Sequence, residues 1–187
     1  MNSVDVTKGK VLLAEPFMVD TNFKRTAVLL CDHSKKDGTV GFILNRQYKA
    51  KVGDLVPELE DFDSPLYLGG PVQRDTLHYI HNVGDLLEES QEVGEGVYWG
   101  GNFEKLIFLI NNKVIKPENI RFFLGYSGWS SEQLKEEFEL GSWVTADLDH
   151  NYVFGNRKIG KLWAQIMENK GDTFSVIAQL PDYFAWN

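Results

Sequence analysis

The apolar residues of this chain occur in short runs separated by polar and glycine-containing segments. Two β-rich runs, Thr26–Cys31 and Thr39–Leu44, are joined by a polar segment that ends in Asp-Gly, which predicts a hairpin. The segment Val52–Leu59 predicts a brief helical turn that ends or bends near Pro57. Other short apolar runs predict further strands, and these are Val11–Leu13, Leu66–Leu68, Leu77–Ile80, Gly96–Trp99 and Ile120–Tyr126.

Apolar residues spaced three and four positions apart predict three helices in the second half of the chain. Asn102 is the predicted N-cap of the first helix. Ser130, with Gln133 three residues later, forms a capping-box pattern at the start of the second. The third carries Trp163 on its apolar face and has Gly171 beyond its end. The predicted ranges are about 102–112, 130–140 and 157–169.

The order of these elements predicts the fold class. Short strands come first and helices are concentrated later, which is typical of an α+β protein with a mixed or antiparallel sheet. No internal repeat, low-complexity tract or linker divides the sequence, and 187 residues fit one compact domain. We therefore predict a single domain over residues 1–187.

Composition and charge narrow the class of function. Hydrophobic residues make up 43% of the chain, including 12 Phe, 5 Trp and 7 Tyr. Burial of so much apolar surface offsets the entropy of ordering, which excludes intrinsic disorder. The formal net charge of −8 opposes binding to phosphate backbones. The basic stretches are short and lack interleaved aromatic residues, so we expect no direct contact with nucleic acid.

Cys31 is the only cysteine, so the chain forms no internal disulfide. It follows the apolar run Ala27–Leu30, which predicts a buried and unreactive thiol. The N-terminal sequence lacks the charged and apolar regions of a signal peptide, and no apolar run is long enough to span a bilayer. We expect a cytoplasmic protein that does not associate with membranes.

The segment Gly125–Trp129, with the sequence GYSGW, is the one that most resembles a catalytic motif. It is predicted to lie between a strand and a capped helix, where a nucleophile elbow exposes its serine on a sharp turn. The elbow pattern ends in glycine, whereas Trp129 stands at that place, so a tight structural turn is the main interpretation. A hydrolase or transferase that uses Ser127 with a nearby histidine is the alternative.

Other motif-like segments lack the residues that would complete a site. Gly69–Val72 has no phosphate-binding lysine, and the glycines of residues 94–101 do not have dinucleotide-binding spacing. Asp147–His150 offers carboxylates and an imidazole without further convergent ligands, which favours a solvated loop. His78 and His81 are expected to point to opposite faces of their strand. We therefore predict neither a metal ion nor a cofactor.

Taken in order, several of these segments resemble the AlgH/YqgE family of small bacterial proteins. The resemblance covers about residues 9–170, and the sequence departs from the family pattern at three turn or helix-entry positions. These departures are Asp20-Thr21, Asn45-Arg46-Gln47 and Ser130–Glu132, which affect local geometry. The residues that carry the resemblance are Gly9–Ala14, Phe23–Val28, His33, Gly41–Arg46, Gly69–Val72, His81, Gly125–Trp129, Gln133, Gly141–Trp143 and Trp163.

The resemblance implies an α+β fold in which a bifurcated sheet curls into a pseudo-barrel with helices packed on it. It implies no established enzyme activity, cofactor or catalytic residue. The family name links some members to transcriptional control of alginate synthesis, which implies a role in regulation and supplies no DNA-contacting residue.

Eight of the shared residues are candidates for a binding pocket, with the glycines as a backbone wall. If they converge, they form a pocket that accepts a small anion, whereas a buried network of hydrogen bonds is the alternative. The predicted function is a non-enzymatic domain that binds a protein or a ligand and is linked to transcriptional regulation without direct DNA binding. The partners considered are an unidentified protein, a small anionic ligand and a second copy of the chain in a homodimer. The candidate residues are Arg25, Asn45, Arg46, Gly69, Gly70, Pro71, His81 and Ser127.

Overall fold

The computed structural model describes residues 6–156 and 158–181, and this part contains ten strands and five α-helices. It confirms the predicted α+β class. The strands are β1 (Lys10–Ala14), β2 (Ala27–Ser34), β3 (Gly38–Ile43), β4 (Gln47–Lys51), β5 (Pro65–Leu68), β6 (Val72–His81), β7 (Gln91–Gly94), β8 (Val97–Trp99), β9 (Ile120–Trp129) and β10 (Trp143–Asp147). The helices are α1 (Phe103–Asn111), α2 (Ser131–Glu139), α3 (His150–Phe154), α4 (Leu162–Glu168) and α5 (Asp172–Ala178).

The strands form a bifurcated sheet that branches at β9. The main path runs β10-β1-β2-β3-β9-β6-β8-β7, with antiparallel neighbours throughout. One edge of β9 pairs with β6. Along the other edge, Phe122–Leu124 pair with β5 in parallel and Ser127–Trp129 pair with β3. β4 pairs with β5 on the second branch.

The sheet curls without closing. At Gly9, just before β1, a Cβ atom would lie 2.9 Å from the carbonyl oxygen of Val93 in β7. Gly9 also has a φ of 85°, a conformation that glycine adopts without steric penalty. Among the described residues no strand pairing joins β10 to β7, so the sheet is an open pseudo-barrel.

The predicted hairpin is confirmed, with longer strands than the sequence indicated. β2 continues to Ser34 and β3 begins at Gly38, so the predicted seven-residue loop shortens to a turn at 35–37. The register of the hairpin shifts between Leu30 and Asp32, which makes Cys31 the extra residue of a bulge. Cys31 is buried as predicted, and burial raises the pKa of its thiol.

The predicted turn at Gly125–Trp129 is wrong, because this segment forms the second half of β9. Buried and partly exposed residues alternate along it, with Ser127 on the buried side. Gly125 has a φ of 64°, and the pairing with β6 is irregular on either side of it. Pairing with β3 and β6 thus overrides the local turn preference of the glycines.

The first two predicted helices are confirmed together with their caps. The side chain of Asn102 accepts a hydrogen bond from the Lys105 amide, and that of Ser130 accepts one from the Gln133 amide. The Gln133 side chain donates to Glu137 at 3.0 Å and does not complete a capping box.

The third predicted helix is shorter than the sequence indicated. α4 begins at Leu162, after a 3-10 turn at Ile159–Lys161, and the predicted start at Arg157 lies outside the described residues. Trp163 is buried as predicted, and its indole N–H donates to the carbonyl oxygen of Ala14 at 2.9 Å. The predicted turn at Val52–Leu59 consists of two short 3-10 turns. Within the described ranges, no helix has the length and apolar character to cross a membrane.

The core lies on both faces of the sheet because consecutive residues of β9 point to opposite sides. Phe123 packs with Phe42 in one hydrophobic cluster, and Phe122 packs beneath α1 in a second. A third cluster contains Trp129 and Trp143. Both of these indoles donate to one carboxylate oxygen of Glu137, at 2.9 and 2.7 Å, which fastens α2 to the sheet.

Candidate functional site

Ser127 and the Gly69-Gly70 pair lie where the sheet branches. The Ser127 side chain is 0% exposed, and its hydroxyl donates to the carbonyl oxygen of Gly69 at 3.0 Å. The same oxygen accepts the Ile43 amide at 2.9 Å, while the Gly69 amide donates to Leu124 at 2.8 Å. Ser127 therefore joins β9 to the point where β3 and β5 separate.

This geometry does not present Ser127 to a substrate. Its hydroxyl proton is held by a carbonyl oxygen, and the side chain has no contact with solvent. In the part of the chain that the structure describes, no hydrogen bond joins Ser127 to an imidazole. Three of the imidazoles contact other groups: His33 contacts Thr39, His78 contacts Thr76, and His81 contacts Gly100.

Gly70 lies against the main chain of β9. A Cβ atom at this position would overlap the carbonyl group of Tyr126 and the amide nitrogen of Ser127. Pro71 follows, half-buried, and leads into β6 at Val72. Gly69, Gly70 and Pro71 thus lead the chain closely past β9, and they line neither of the two cavities described below.

Asn45 fixes the segment that leads into β2. Its Oδ1 accepts the Ala27 amide and its Nδ2 donates to the Arg25 carbonyl oxygen, both at 2.9 Å. Arg25 has a φ of 52°, which is uncommon for a residue with a side chain, so these bonds hold an unfavourable backbone conformation. The Arg25 guanidinium stacks 4.9 Å from the ring of Trp163 and donates to Leu180 at 2.6 Å.

Arg46 supports the same segment from the other side. Its guanidinium donates to the carbonyl oxygens of Thr21 at 3.1 Å and Lys24 at 2.9 Å. Burial lowers the pKa of Arg46, and the charge of Asp20 partly opposes that shift. Arg46 and Asn45 therefore stabilise the loop between β1 and β2 through hydrogen bonds to its backbone.

His81 lies at the other end of β6 from the branch point and is fully buried. Its Nδ1 accepts the Val83 amide at 3.3 Å, so Nε2 carries the proton and donates to Gly100 at 2.8 Å. The imidazole stacks on Tyr98, with 5.9 Å between ring centroids. Burial lowers the pKa of His81, and the hydrogen bond to Gly100 partly opposes the shift.

We expect His81 to make the protein less stable in acid. Because the folded-state pKa lies below the ordinary value of 6.5, the stabilisation is fully present above that pH. It is lost as the pH falls through 6.5 towards the folded-state pKa, since the unfolded chain then binds more protons. In His81→Gln the fall in melting temperature between about pH 7.5 and 5 should be smaller, measured by circular dichroism.

Burial also lowers the pKa of His78, so part of the acid dependence should remain in that variant. An unchanged slope in His81→Gln would contradict the assignment of a buried neutral imidazole at this position.

The candidate residues thus form separate groups. Ser127, Gly69 and Gly70 meet at the branch point, Asn45 contacts Arg25 while Arg46 supports the same loop, and His81 lies apart from both. Within each group the side chains bond largely to backbone groups of the described chain.

An open groove of about 330 Å³ lies beside β6. β8 ends at Trp99, which pairs with Ile80, and Gly100 and Gly101 then turn the chain away with φ values of 74° and 120°. The edge of β6 over Leu77–Tyr79 therefore has no pairing with β8. The groove is lined by Leu77, His78, Tyr79, Glu89, Gln91, Trp99, Gly100 and Gly101.

The groove has an aromatic side and a polar side. The His78 ring lies 6.4 Å from that of Trp99 and 5.2 Å from Phe42 beneath. Tyr79 donates its hydroxyl proton to the Gly101 carbonyl oxygen. Glu89 carries the one carboxylate among the lining residues, which include no lysine or arginine. The groove was not predicted from the sequence. The one feature that indicates it there is the Gly100-Gly101 pair, which directly follows a predicted strand.

A second cavity, of about 160 Å³, lies between the β5–β9 pair and the start of α4. Tyr67 and Arg121 reach it from the sheet, and Asn151 and Asn156 reach it from α3 and the residues after it. No motif in the sequence marks any of these residues as part of a binding site.

The acidic segment Asp147–His150 does not form a metal site. Asp147 forms an ion pair with Lys10, and the Asp149 side chain caps α3 by accepting the Asn151 amide. Among residues 6–156 and 158–181, no group of three or more histidine, cysteine, aspartate or glutamate side chains has metal-binding geometry.

Comparison with known sequences matches residues 11–175 to a family model described as AlgH-like (DUF179). A UPF0301 protein from Chlorobium limicola is 45% identical over 174 residues, which cover 93% of this chain and 92% of that protein. A UPF0301 protein from Cytophaga hutchinsonii is 36% identical over 177 residues, which cover 94% of this chain and 96% of that protein.

Two solved structures have a similar fold. The solution structure of the AlgH protein from Pseudomonas aeruginosa has a TM-score of 0.71 and 26% identity, covering 97% of this chain and 98% of that chain. A crystal structure of a protein from Corynebacterium diphtheriae has a TM-score of 0.77 and 22% identity, covering 96% and 95% of the two chains.

Proposed function

We propose that this chain, which belongs to the AlgH-like family of uncharacterised bacterial proteins, is a non-enzymatic domain that binds a small molecule in the groove beside β6. The proposal rests on a difference in hydrogen bonding between the polar residues of the groove and the polar residues shared with the family. The side chains of Glu89 and Gln91 line the groove and have no hydrogen-bond partner among the described residues. Ser127 and Asn45, in contrast, are held by backbone groups of the fold.

The lining residues define the chemistry of the ligand. Trp99 and His78 offer aromatic surface for a planar ring. The Glu89 carboxylate accepts hydrogen bonds, and the amide of Gln91 both donates and accepts them. Because the charge of Glu89 is not balanced by a cationic lining residue, the groove favours a neutral or cationic ring over an anion. A planar heteroaromatic molecule with N–H donors fits this description.

In this proposal the domain takes part in regulation by binding a ligand, and it does not contact DNA. The net charge of −8 supports this part of the proposal, because DNA affinity depends on neutralisation of phosphates. A salt-sensitive, sequence-dependent shift of duplex DNA at about micromolar protein or below would overturn it.

A thermal-shift screen with adenine, cytosine and benzamidine tests the proposal. A ligand at about ten times its Kd stabilises the folded state by about 1.4 kcal/mol. That gain raises the melting temperature of a chain of this length by about 3–6 °C. Benzoate, which has the same planar shape and a negative charge, should leave the indole N–H signal of Trp99 in the groove unshifted.

The matched variants are Glu89→Gln and Glu95→Gln. Both glutamates are exposed and have positive φ values, 64° and 51°, but only Glu89 lines the groove. Glu89→Gln should weaken binding about tenfold, because a hydrogen bond to a charged group is replaced by a neutral one. Glu95→Gln should bind as the unmodified protein does. Equal affinity in both variants, or no ligand that raises the melting temperature, would overturn the groove as the site.

A further inference from the structure

We propose that the second cavity binds a small organic carboxylate through the guanidinium of Arg121 and the hydroxyl of Tyr67. The cavity of about 160 Å³ shares no lining residue with the groove beside β6, so the two sites are independent. Its volume corresponds to about five water molecules, which suits a short-chain acid.

Tyr67 provides a hydrogen-bond donor that has no partner among the described residues. The residue is 5% exposed, and its ring packs 5.7 Å from that of Phe123 in the core. Tyr67 lines the cavity, and its hydroxyl makes no hydrogen bond with another described residue. A tyrosine hydroxyl without a protein partner at a cavity wall is available to donate to a ligand.

Arg121 provides the charge. Two of its five N–H groups donate through Nη1, to the carbonyl oxygens of Pro117 at 2.9 Å and Ile120 at 2.8 Å. Nη2 donates to Phe154 at 3.5 Å, which leaves one Nη2 proton and the Nε proton without a partner in the described chain. Guanidinium N–H groups of this kind donate to carboxylate oxygens, and such charge-assisted hydrogen bonds are stronger than neutral ones.

No carboxylate of the described residues forms a close ion pair with Arg121. Burial lowers the pKa of Arg121, and the nearby Tyr67 and Glu118 partly oppose that shift. Glu118 is exposed, and its carboxylate is not within 4.0 Å of the guanidinium. The guanidinium also stacks 5.7 Å from the ring of Phe154, which shields it from solvent. A half-buried cation with free donors is a site for an anion.

The remaining walls distinguish a carboxylate from phosphate. Val153 and Leu162 are buried apolar residues of the lining, and the partly buried Ile159 adds further apolar surface to it. An acid with a short alkyl chain covers this surface, whereas phosphate would lose hydration there without compensation. Each added methylene in the chain should tighten binding about fourfold until the cavity is filled.

Titration of the full chain with acetate, propionate, butyrate and phosphate, at constant ionic strength, tests this inference. Binding is followed by calorimetry and by the chemical shifts of the Tyr67 ring. We expect affinity to rise from acetate to butyrate and to exceed the affinity for phosphate. Tighter binding of phosphate than of butyrate, or no saturable shift at Tyr67, would overturn the carboxylate site.

Tyr67→Phe and Tyr48→Phe are the matched variants. Each removes one hydroxyl, and Tyr48, on β4, does not line the cavity. Tyr67→Phe should bind butyrate at least about tenfold more weakly, because it loses a hydrogen bond to a charged group. Its melting temperature should not fall, since the hydroxyl has no hydrogen-bond partner among the described residues. Unchanged butyrate affinity in Tyr67→Phe, with Tyr48→Phe also unchanged, would contradict the proposal.

Discussion

Substitution of Gly70 by alanine should lower the free energy of unfolding by at least about 3 kcal/mol, because the new methyl group has no space. It would overlap the main-chain atoms of Tyr126 and Ser127 in β9. Backbone atoms of a central strand move only with the strand, so relief of the overlap must separate β9 from the chain between β5 and β6. The Ser127–Gly69 hydrogen bond lies at this place and would be lost as well.

Gly160→Ala is the control for this prediction. A Cβ atom at Gly160 meets nothing within 4 Å, and its φ is not in the left-handed region. Chemical denaturation of both variants measures the difference, and the melting temperature of Gly70→Ala should fall by about 6–12 °C or more. Equal stability of the two variants would show that the branch point adapts to a side chain, against the close approach described.

Phe42→Ala should lower the free energy of unfolding by about 3–5 kcal/mol, since it empties a large buried site. Phe42 is 0% exposed, and its ring lies 5.4 Å from that of Phe123 in the core. The ring also supports His78 at 5.2 Å and Trp99 at 5.7 Å, which line the groove. The affinity of the groove for a planar ligand should therefore fall together with stability.

The matched control is Phe108→Ala on α1, where the phenylalanine is 57% exposed. This variant removes the same atoms and should change the free energy of unfolding by about 0.5 kcal/mol or less. Urea denaturation of both variants provides the comparison. A loss of similar size in both would mean that the packing around Phe42 is not what stabilises the sheet.

Local signals in the sequence predicted the elements that depend on neighbouring residues. The hairpin of β2 and β3 follows from alternating apolar runs and an Asp-Gly turn, and the starts of α1 and α2 follow from the caps Asn102 and Ser130. The β4 sequence, Gln47–Lys51, carries no such signal because the strand is largely exposed and pairs only with β5. Its formation depends on a distant partner.

The segment Gly125–Trp129 shows how long-range pairing overrides local preference. Two glycines around Tyr126 and Ser127 are typical of a turn, yet β3 and β6 pair with this segment and hold it extended. Gly128 tolerates the extended conformation, and Gly125 with a φ of 64° absorbs the irregular register with β6. The sequence alone contains no information on which strands lie beside it.

The polar residues shared with the family stand out in the sequence, but the groups that they contact are defined only by the fold. Asn45 and Arg46 bond to backbone groups of residues 21–27, and Ser127 bonds to Gly69. These partners are distant in sequence and come together only in the folded chain. The residues of the two cavities come from distant segments. Trp99 and Glu89 in one, and Tyr67 and Arg121 in the other, carry no motif in the sequence.

The indole N–H signals of the tryptophans in a nitrogen-15 spectrum show whether the groove beside β6 is the ligand site. The indoles of Trp129 and Trp143 are bound to Glu137, and that of Trp163 is bound to Ala14, whereas Trp99 lines the groove. On titration with adenine to about 10 mM, the Trp99 signal should shift and saturate while these three stay in place. A Trp99 signal that does not move, or a saturable shift confined to Trp163 beside Arg25, would contradict the account.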